Sequence, residues 1–478
     1  MSSMPSFRGG HAPRRGRGGW TKPFAKSKRD SVKPDIDKHP LGKLLKTFKL
    51  SDLHFTAGAS VGPAITDLQY VTSYNWRNNT SHAILVPGKP PRWTPLQKAQ
   101  RLKEDSGLYY RDPNAARYTE YPIAPVVQAI LDTKTSCIPE EVDVLACGST
   151  LGNLLRFARG QDKAFRFAVE KIGNTVFLIR KENDSKEIIE NVRGFGHSFP
   201  EAYTTWEKEV KGSETHQRVV QYDFGGFTCL VRFECDGYLK DLSKSNGSTV
   251  NSSVDPSLRP SADGEDLLAA FGKASIAQKH ANECPISSGV TIEHGGAAID
   301  QSAIFDLKTR SGKYKANIDM SDIYPQLWLK QIPNFIVAFH DGAGLFEDIR
   351  VQDVRNDTQK WEQDNLDAIL RLKVLLKEIV ASARDDAGLL EVYCPGSTHL
   401  EIRKQYGQGQ PSLPANLRDK WTSSSEKDSF SDLDEGGLAL NSHSDVENDP
   451  WGADSEDEEP DYTACSAEDC GYCGKCTY

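Results

Sequence analysis

Hydrophobic positions in this chain recur with two periods, and the periods separate strands from helices. Alternation over two residues, the mark of a half-buried strand, runs through Leu230–Leu239 and Ala303–Thr309. Short apolar runs bounded by turn formers predict further strands at Val71–Trp76, Ala83–Val86, Pro333–Phe339, Leu345–Val354, Leu389–Cys394 and His399–Ile402. Phe165–Glu170 and Asn174–Arg180 read as a hairpin turning at Ile172-Gly173-Asn174, and Asp341-Gly342 supplies a second hairpin turn. Helical spacing predicts helices over Pro122–Leu131, Ser149–Phe157 and Asn356–Ala383. The last has a broad apolar face that includes Trp361, Leu366, Ile369 and Leu376. A short helix is expected over Ser321–Lys330, with Ser321 as its cap and Pro325 in its first turn.

Composition limits where this pattern can fold. The chain has 478 residues, enough for one large domain and tails, and a formal net charge of -9. That charge is unevenly spread. Arg8–Arg29 is basic and Gly-rich, with Arg-Gly repeats around Trp20, whereas Asp428–Asp461 is strongly acidic, and neither end should fold alone. The expected division is a basic RGG-type disordered tail at 1–39, one domain at 40–405, an acidic disordered tail at 406–461 and a Cys-rich segment at 462–478. Within the domain, 243–264 is rich in Ser, Asn, Pro and Gly and reads as a disordered insertion. No apolar run approaches the roughly 18 residues needed to cross a bilayer, and no signal-peptide pattern opens the chain. No membrane partner is expected, and an intracellular location, nucleus or cytoplasm, is.

Two of the strands carry charge where a sheet should be apolar. Arg232, Glu234 and Asp236 alternate with Phe233 and Cys235, and Asp306 and Lys308 alternate with Phe305 and Leu307. Charges among Phe, Leu and Val are costly to bury unpaired, so these faces are either solvated or meet each other and a cation. The first case is the common lot of Asp, Glu and Lys on strands.

At these residues the chain resembles the DXO/RAI decapping exonucleases, which act on RNA 5′ ends and have a PD-(D/E)XK nuclease core. The resemblance rests on LVRFECDGYL, FDLKTR and YPQLWLKQIPNFIVAFHDGAG, and is strongest between about residues 215 and 355. It implies an α+β fold with a mixed central β-sheet flanked by helices. It also implies a metal site of Glu234, Asp236, Asp306 and the carbonyl of Leu307 holding Mg²⁺ or Mn²⁺, with Lys308 and Gln326 acting on water and phosphate. Asp306 and Lys308 are expected to line a cleft rather than the core.

The chain departs from the family's pattern twice. Pro200 stands where the family carries a further acidic residue, and Glu201 follows one place later as the candidate for that role. Cys147 stands where the family carries an Arg, and a thiol cannot offer a phosphate the planar charged fork of a guanidinium. These departures leave two readings open: a metal-dependent hydrolase of RNA 5′ ends, or a degenerate nuclease-like fold that binds RNA or protein. His197, which follows two glycines in a tight loop, reads as structural rather than as a base.

The ends add their own chemistry. The Arg-Gly segment suits sequence-tolerant RNA contact or acts as a solubilising, protein-binding tail. Cys465, Cys470, Cys473 and Cys476 close the chain with a spacing suited to Zn²⁺ or iron–sulfur ligation, or they are redox-sensitive thiols.

Overall fold

The computed structural model describes residues 33–54, 64–78, 82–133, 141–189, 192–243, 289–315, 320–386 and 388–423. The Arg-Gly segment, most of the predicted insertion, the acidic run and the four terminal cysteines lie outside the described residues. In chain order, β1 (Leu44–Phe48), β2 (Ile65–Arg77), β3 (Ala83–Val86) and β4 (Arg92–Trp93) lead to α1 (Pro113–Arg117) and α2 (Ala124–Asp132). Next β5 (Val144–Cys147) runs straight into α3 (Gly148–Ala158), and the hairpin β6 (Phe165–Ile172) and β7 (Thr175–Arg180) follows. After α4 (Ser198–Tyr203) and β8 (Thr204–Thr205) come β9 (Ser213–Phe224), β10 (Phe227–Glu234) and β11 (Gly237–Tyr238). Then come β12 (Thr291–His294), β13 (Ile304–Ser311), α5 (Ile323–Lys330), β14 (Asn334–His340) and β15 (Phe346–Asp353). The described chain ends with α6 (Arg355–Asp364), α7 (Leu366–Asp385), β16 (Leu390–Cys394), β17 (Leu400–Lys404) and α8 (Ala415–Ser423).

Eleven strands form one mixed sheet in the order β1-β17-β16-β6-β7-β5-β10-β9-β2-β3-β12. Its middle is parallel, β5 lying parallel to both β7 and β10. Alternate residues of these strands enter different cores, so the sheet is covered on both faces. Val144, Ala146, Val176 and Val231 join Leu154 of α3, Leu327 of α5 and Leu376 of α7. Leu145, Phe177 and Leu230 join Val126 of α2 and Trp421 of α8. A second sheet runs β15-β14-β13-β11-β4-β8, with β13 parallel to β14. The architecture is α+β, with mixed sheets flanked by helices.

Four details depart from the sequence reading. The stretch 230–239 is two strands, because β10 ends at Glu234 in the large sheet and β11 resumes at Gly237 in the small one. Gly237 permits the crossing: a Cβ there would stand 2.4 Å from Phe305 Cζ and 2.7 Å from the carbonyl oxygen of Pro91. The long helix is interrupted at Asn365, whose backbone leaves the helical region (φ -119°, ψ 21°) while its side-chain amide donates to the Trp361 carbonyl at 2.8 Å. The cap position of α5 is Asp322 rather than Ser321. Beyond Gln405 the chain continues into α8, where Leu417 and Trp421 are buried and Trp421 Nε1 donates to Thr175 Oγ1 at 3.2 Å.

Candidate active site

The crossing from β10 to β11 delivers Asp236 to the middle of the small sheet. There Gly237 pairs with Phe305 of β13, and Asp236 Oδ2 accepts the N–H of Leu307 at 2.6 Å. Leu307 thus enters the group through its amide hydrogen. On β13 the period of two puts Asp306 and Lys308 on one face, and Lys308 Nζ lies 3.3 Å from Asp306 Oδ1. Phe305 and Leu307 face the other way, into an aromatic core with Phe199, Tyr203 and Phe346. Asp306 and Lys308 are only 5% and 8% exposed, so they sit inside the protein and not along an open cleft.

Helix α5 adds two polar groups to this face. Gln326 and Lys330 stand four residues apart and share one side of the helix. Lys330, 2% exposed, donates to Asp306 Oδ2 at 3.5 Å, so both oxygens of Asp306 face an ammonium. Gln326 Oε1 is buried and has no hydrogen-bond partner among the described residues. Two glycines of α3, likewise four apart, face these groups, and Gly152 leaves the room that the Gln326 amide occupies. A Cβ at Gly148 would stand 3.4 Å from Lys330 Cγ, and one at Gly152 would stand 2.7 Å from Gln326 Nε2.

Burial, and next to it the charge of Asp306, pushes Asp236 up to about 7, while Lys308, the Leu307 N–H and Lys330 pull it down. Two buried carboxylates that repel one another are a natural place for a cation. Among the described residues no three His, Cys, Asp or Glu side chains converge into a metal cage. The residues nonetheless fit Mg²⁺ or Mn²⁺. Such ions are commonly held by one or two carboxylates, with water and substrate phosphate completing the shell, and the orphaned oxygen of Gln326 belongs to the same hard donor class.

The remaining candidates lie apart or in different roles. Glu234 closes β10 and lines a small pocket with Lys330, Cys147, Ser149, Arg180 and Arg232. Cys147 is buried at the N-cap of α3, its Sγ 2.9 Å from Thr150 Oγ1 and 3.2 Å from Ser149 Oγ. The guanidinium missing at 147 has a neighbour, because Arg232 is the register partner of Cys147 across β10 and β5. Glu201 is exposed on α4: Phe199 and Tyr203 bury one side of that short helix, which turns the residue between them to solvent. Among the described residues it makes no ion pair. The His197 ring stacks on Tyr109 at 4.0 Å between centroids and its backbone N–H donates to Asp105 Oδ2 at 3.0 Å, a loop-fixing arrangement.

Lys330 and the two glycines are the residues that strand periodicity missed. Their signal was present as two i, i+4 pairs, Gly148/Gly152 and Gln326/Lys330, on helices that had not been placed side by side. Gly152→Ala tests that contact. The new Cβ displaces the Gln326 amide, a movable end, so the chain should fold with unchanged or slightly higher stability, alanine being the better helix former by about 1 kcal/mol. Any hydrolysis that depends on Gln326 should fall about ten- to hundredfold. Thermal melting and a turnover assay on the same preparation separate the two effects.

The class is thus an α+β protein with a buried carboxylate–lysine strand at the crossing of two sheets. The family model described as "Domain of unknown function (DUF8563)" matches residues 55–401, and the chain belongs to that family. No curated protein matches it. Among solved structures it is similar to Rai1 of Scheffersomyces stipitis, solved with (3′-NADP)+ and a calcium ion, at 13% identity and a TM-score of 0.48 over 80% of this chain and 99% of that one. Rai1 of S. pombe in complex with 3′-FADP is similar at 12% identity and a TM-score of 0.47, over 76% and 99% of the two chains. Dxo1 of K. lactis in complex with manganese is similar at 9% identity and a TM-score of 0.42, over 79% and 99%. Such distant likenesses do not carry an activity across. None of the described helices is long and apolar enough to cross a membrane.

Proposed function

We propose that this chain hydrolyses phosphodiester or pyrophosphate bonds at RNA 5′ ends with a divalent cation. The observation that carries the reading is the buried meeting of Asp236, Asp306 and Lys308. The choice of RNA 5′ ends comes from the motif resemblance. Asp236 and Asp306 would hold Mg²⁺ or Mn²⁺, with Glu234 and Gln326 at its margin. When bound, the ion supplies a water of lowered pKa and positive charge for the leaving oxygen. Lys308, held against Asp306, would orient the attacking water or neutralise charge that develops on the phosphorus oxygens. Arg232 and Arg180, in the pocket next to Cys147, would meet the phosphate in place of the Arg that the resemblance expects.

A second reading, a nuclease-like fold that binds RNA or protein without cleaving it, is favoured by one observation: the Lys330 ammonium faces Asp306. One assay divides the two. The purified chain is incubated with 5′-triphosphate, 5′-monophosphate and capped RNAs in Mg²⁺ or Mn²⁺, with EDTA as control. Release of a 5′ product that EDTA stops supports the hydrolase. RNA binding with no product in either metal supports the binding module.

A further inference from the structure

We propose that Lys330 is a built-in competitor for the metal, its ammonium taking Asp306 Oδ2 and so holding down the affinity of this site for divalent cations. The inference rests on the reading of Asp236 and Asp306 as the residues that would hold the ion.

Lys330 is placed by construction. Its stem lies along the backbone of Gly148, where a Cβ would stand 3.4 Å from Cγ and 3.6 Å from Cε. Directly after it α5 stops, Gln331 adopting the left-handed conformation at φ 52°. Gln301 fastens this end, its amide donating to the carbonyls of Lys330 at 3.4 Å and Gln331 at 2.8 Å. With the helix end fixed and the stem laid beside Gly148, the ammonium reaches Asp306 Oδ2 at 3.5 Å while that of Lys308 lies 3.3 Å from the other oxygen.

A lysine this deeply buried depends on nearby negative charge, since an ammonium taken out of water is costly without it. A hard divalent ion seeks the same carboxylate oxygens. The two cations therefore compete for Asp306, and metal binding must displace Lys330 or do without Oδ2. Apparent affinity falls by the fraction of molecules in which Lys330 holds the carboxylate. The motif that the chain shares with nucleases accounts for one lysine, Lys308, and Lys330 is additional to it.

The test is a Mn²⁺ titration of the full chain, free Mn²⁺ being read by electron paramagnetic resonance, with folding checked by thermal melting. Lys330→Met, similar in length and uncharged, should bind Mn²⁺ at least about tenfold more tightly than the parent. Lys330→Gln provides the same comparison if the methionine variant fails to fold. Lys330→Arg, which keeps the charge, should stay at the parent's affinity, and adding Asp306→Asn to Lys330→Met should abolish the gain. An unchanged or weaker affinity in the folded neutral variants, or a gain that survives Asp306→Asn, overturns the proposal. The two readings fail separately: tighter Mn²⁺ binding with no hydrolysis by any variant removes the hydrolase alone. Hydrolysis with unaltered Mn²⁺ affinity removes the role of Lys330 alone.

Discussion

Asp306→Asn and Lys308→Met are each expected to lower the proposed metal-dependent hydrolysis of 5′-triphosphate RNA by about 10²–10³-fold, the usual cost of removing one preorganised charged group from a reacting centre. The conservative replacements matter because of burial. Asp306 is 5% exposed and lies between Lys308 and Lys330, so Asp306→Ala would both open a gap and take counter-charge from two buried ammoniums. Breaking a buried charge cluster that way costs about 3–5 kcal/mol, enough to confuse lost chemistry with lost folding. Asn removes the same counter-charge but keeps the volume and an acceptor oxygen for the ammoniums, so it spares the gap and part of the penalty, and Met keeps the length of Lys308 while Asp306 retains Lys330. Each variant should still melt in one cooperative transition, Asp306→Asn at a lower temperature than the parent, while its turnover collapses. If both folded variants retain the parent's turnover, the hydrolysis belongs elsewhere in the chain or to a contaminant. If both fail to fold, the charges on β13 serve the fold first.

How much of this was legible follows from what each pattern encodes. A period of two fixes which side chains share a face, so Asp306 beside Lys308 could be read directly from Phe305-Asp306-Leu307-Lys308. It does not reveal when a strand changes sheets. Glu234 and Asp236 looked like neighbours on one strand, but the chain bends between them because Gly237 must pass against Phe305 and Pro91, which are distant in sequence. Nor did apolar spacing show the break at Asn365, since the hydrophobic stripe runs on through α6 and α7 and only the backbone turns. The burial of Asp306 and Lys308 was hidden for a related reason. A charged strand face reads as solvated unless the groups that cover it are known, and here the cover is α5, whose Gln326 amide fits over Gly152 of α3. Lys330 by itself resembles any basic residue at a helix C-terminus, where the dipole favours it.

The largest stability effect is expected far from that site, at Arg166→Met. Arg166 on β6 and Glu391 on β16 are neighbours across paired strands, and Glu391 is fully buried. The guanidinium donates to Glu391 Oε2 through Nε at 2.8 Å and through Nη2 at 2.5 Å. Its remaining hydrogens reach the carbonyls of His39 at 2.6 Å and Pro40 at 3.2 Å. Glu391 in turn accepts the N–H of Gly42 at 3.4 Å. One ion pair thus fastens the segment before β1 to β16 and β6, the third and fourth strands of the large sheet. Methionine fills much of the space but leaves a carboxylate buried without its guanidinium, a loss of about 3–5 kcal/mol in denaturant unfolding. Arg166→Met with Glu391→Leu removes both charges, and a well-packed apolar pair commonly matches or exceeds a buried ion pair, so the double variant should recover most of that loss. The carbonyls of His39 and Pro40 lose their donor in both variants. The backbone before β1 should therefore exchange its amide hydrogens faster than in the parent even where global stability has returned. A single variant as stable as the parent would mean that water or another cation already reaches Glu391. A double variant no better than the single would mean that the carbonyl contacts, and not the ion pair, hold the segment before β1 in place.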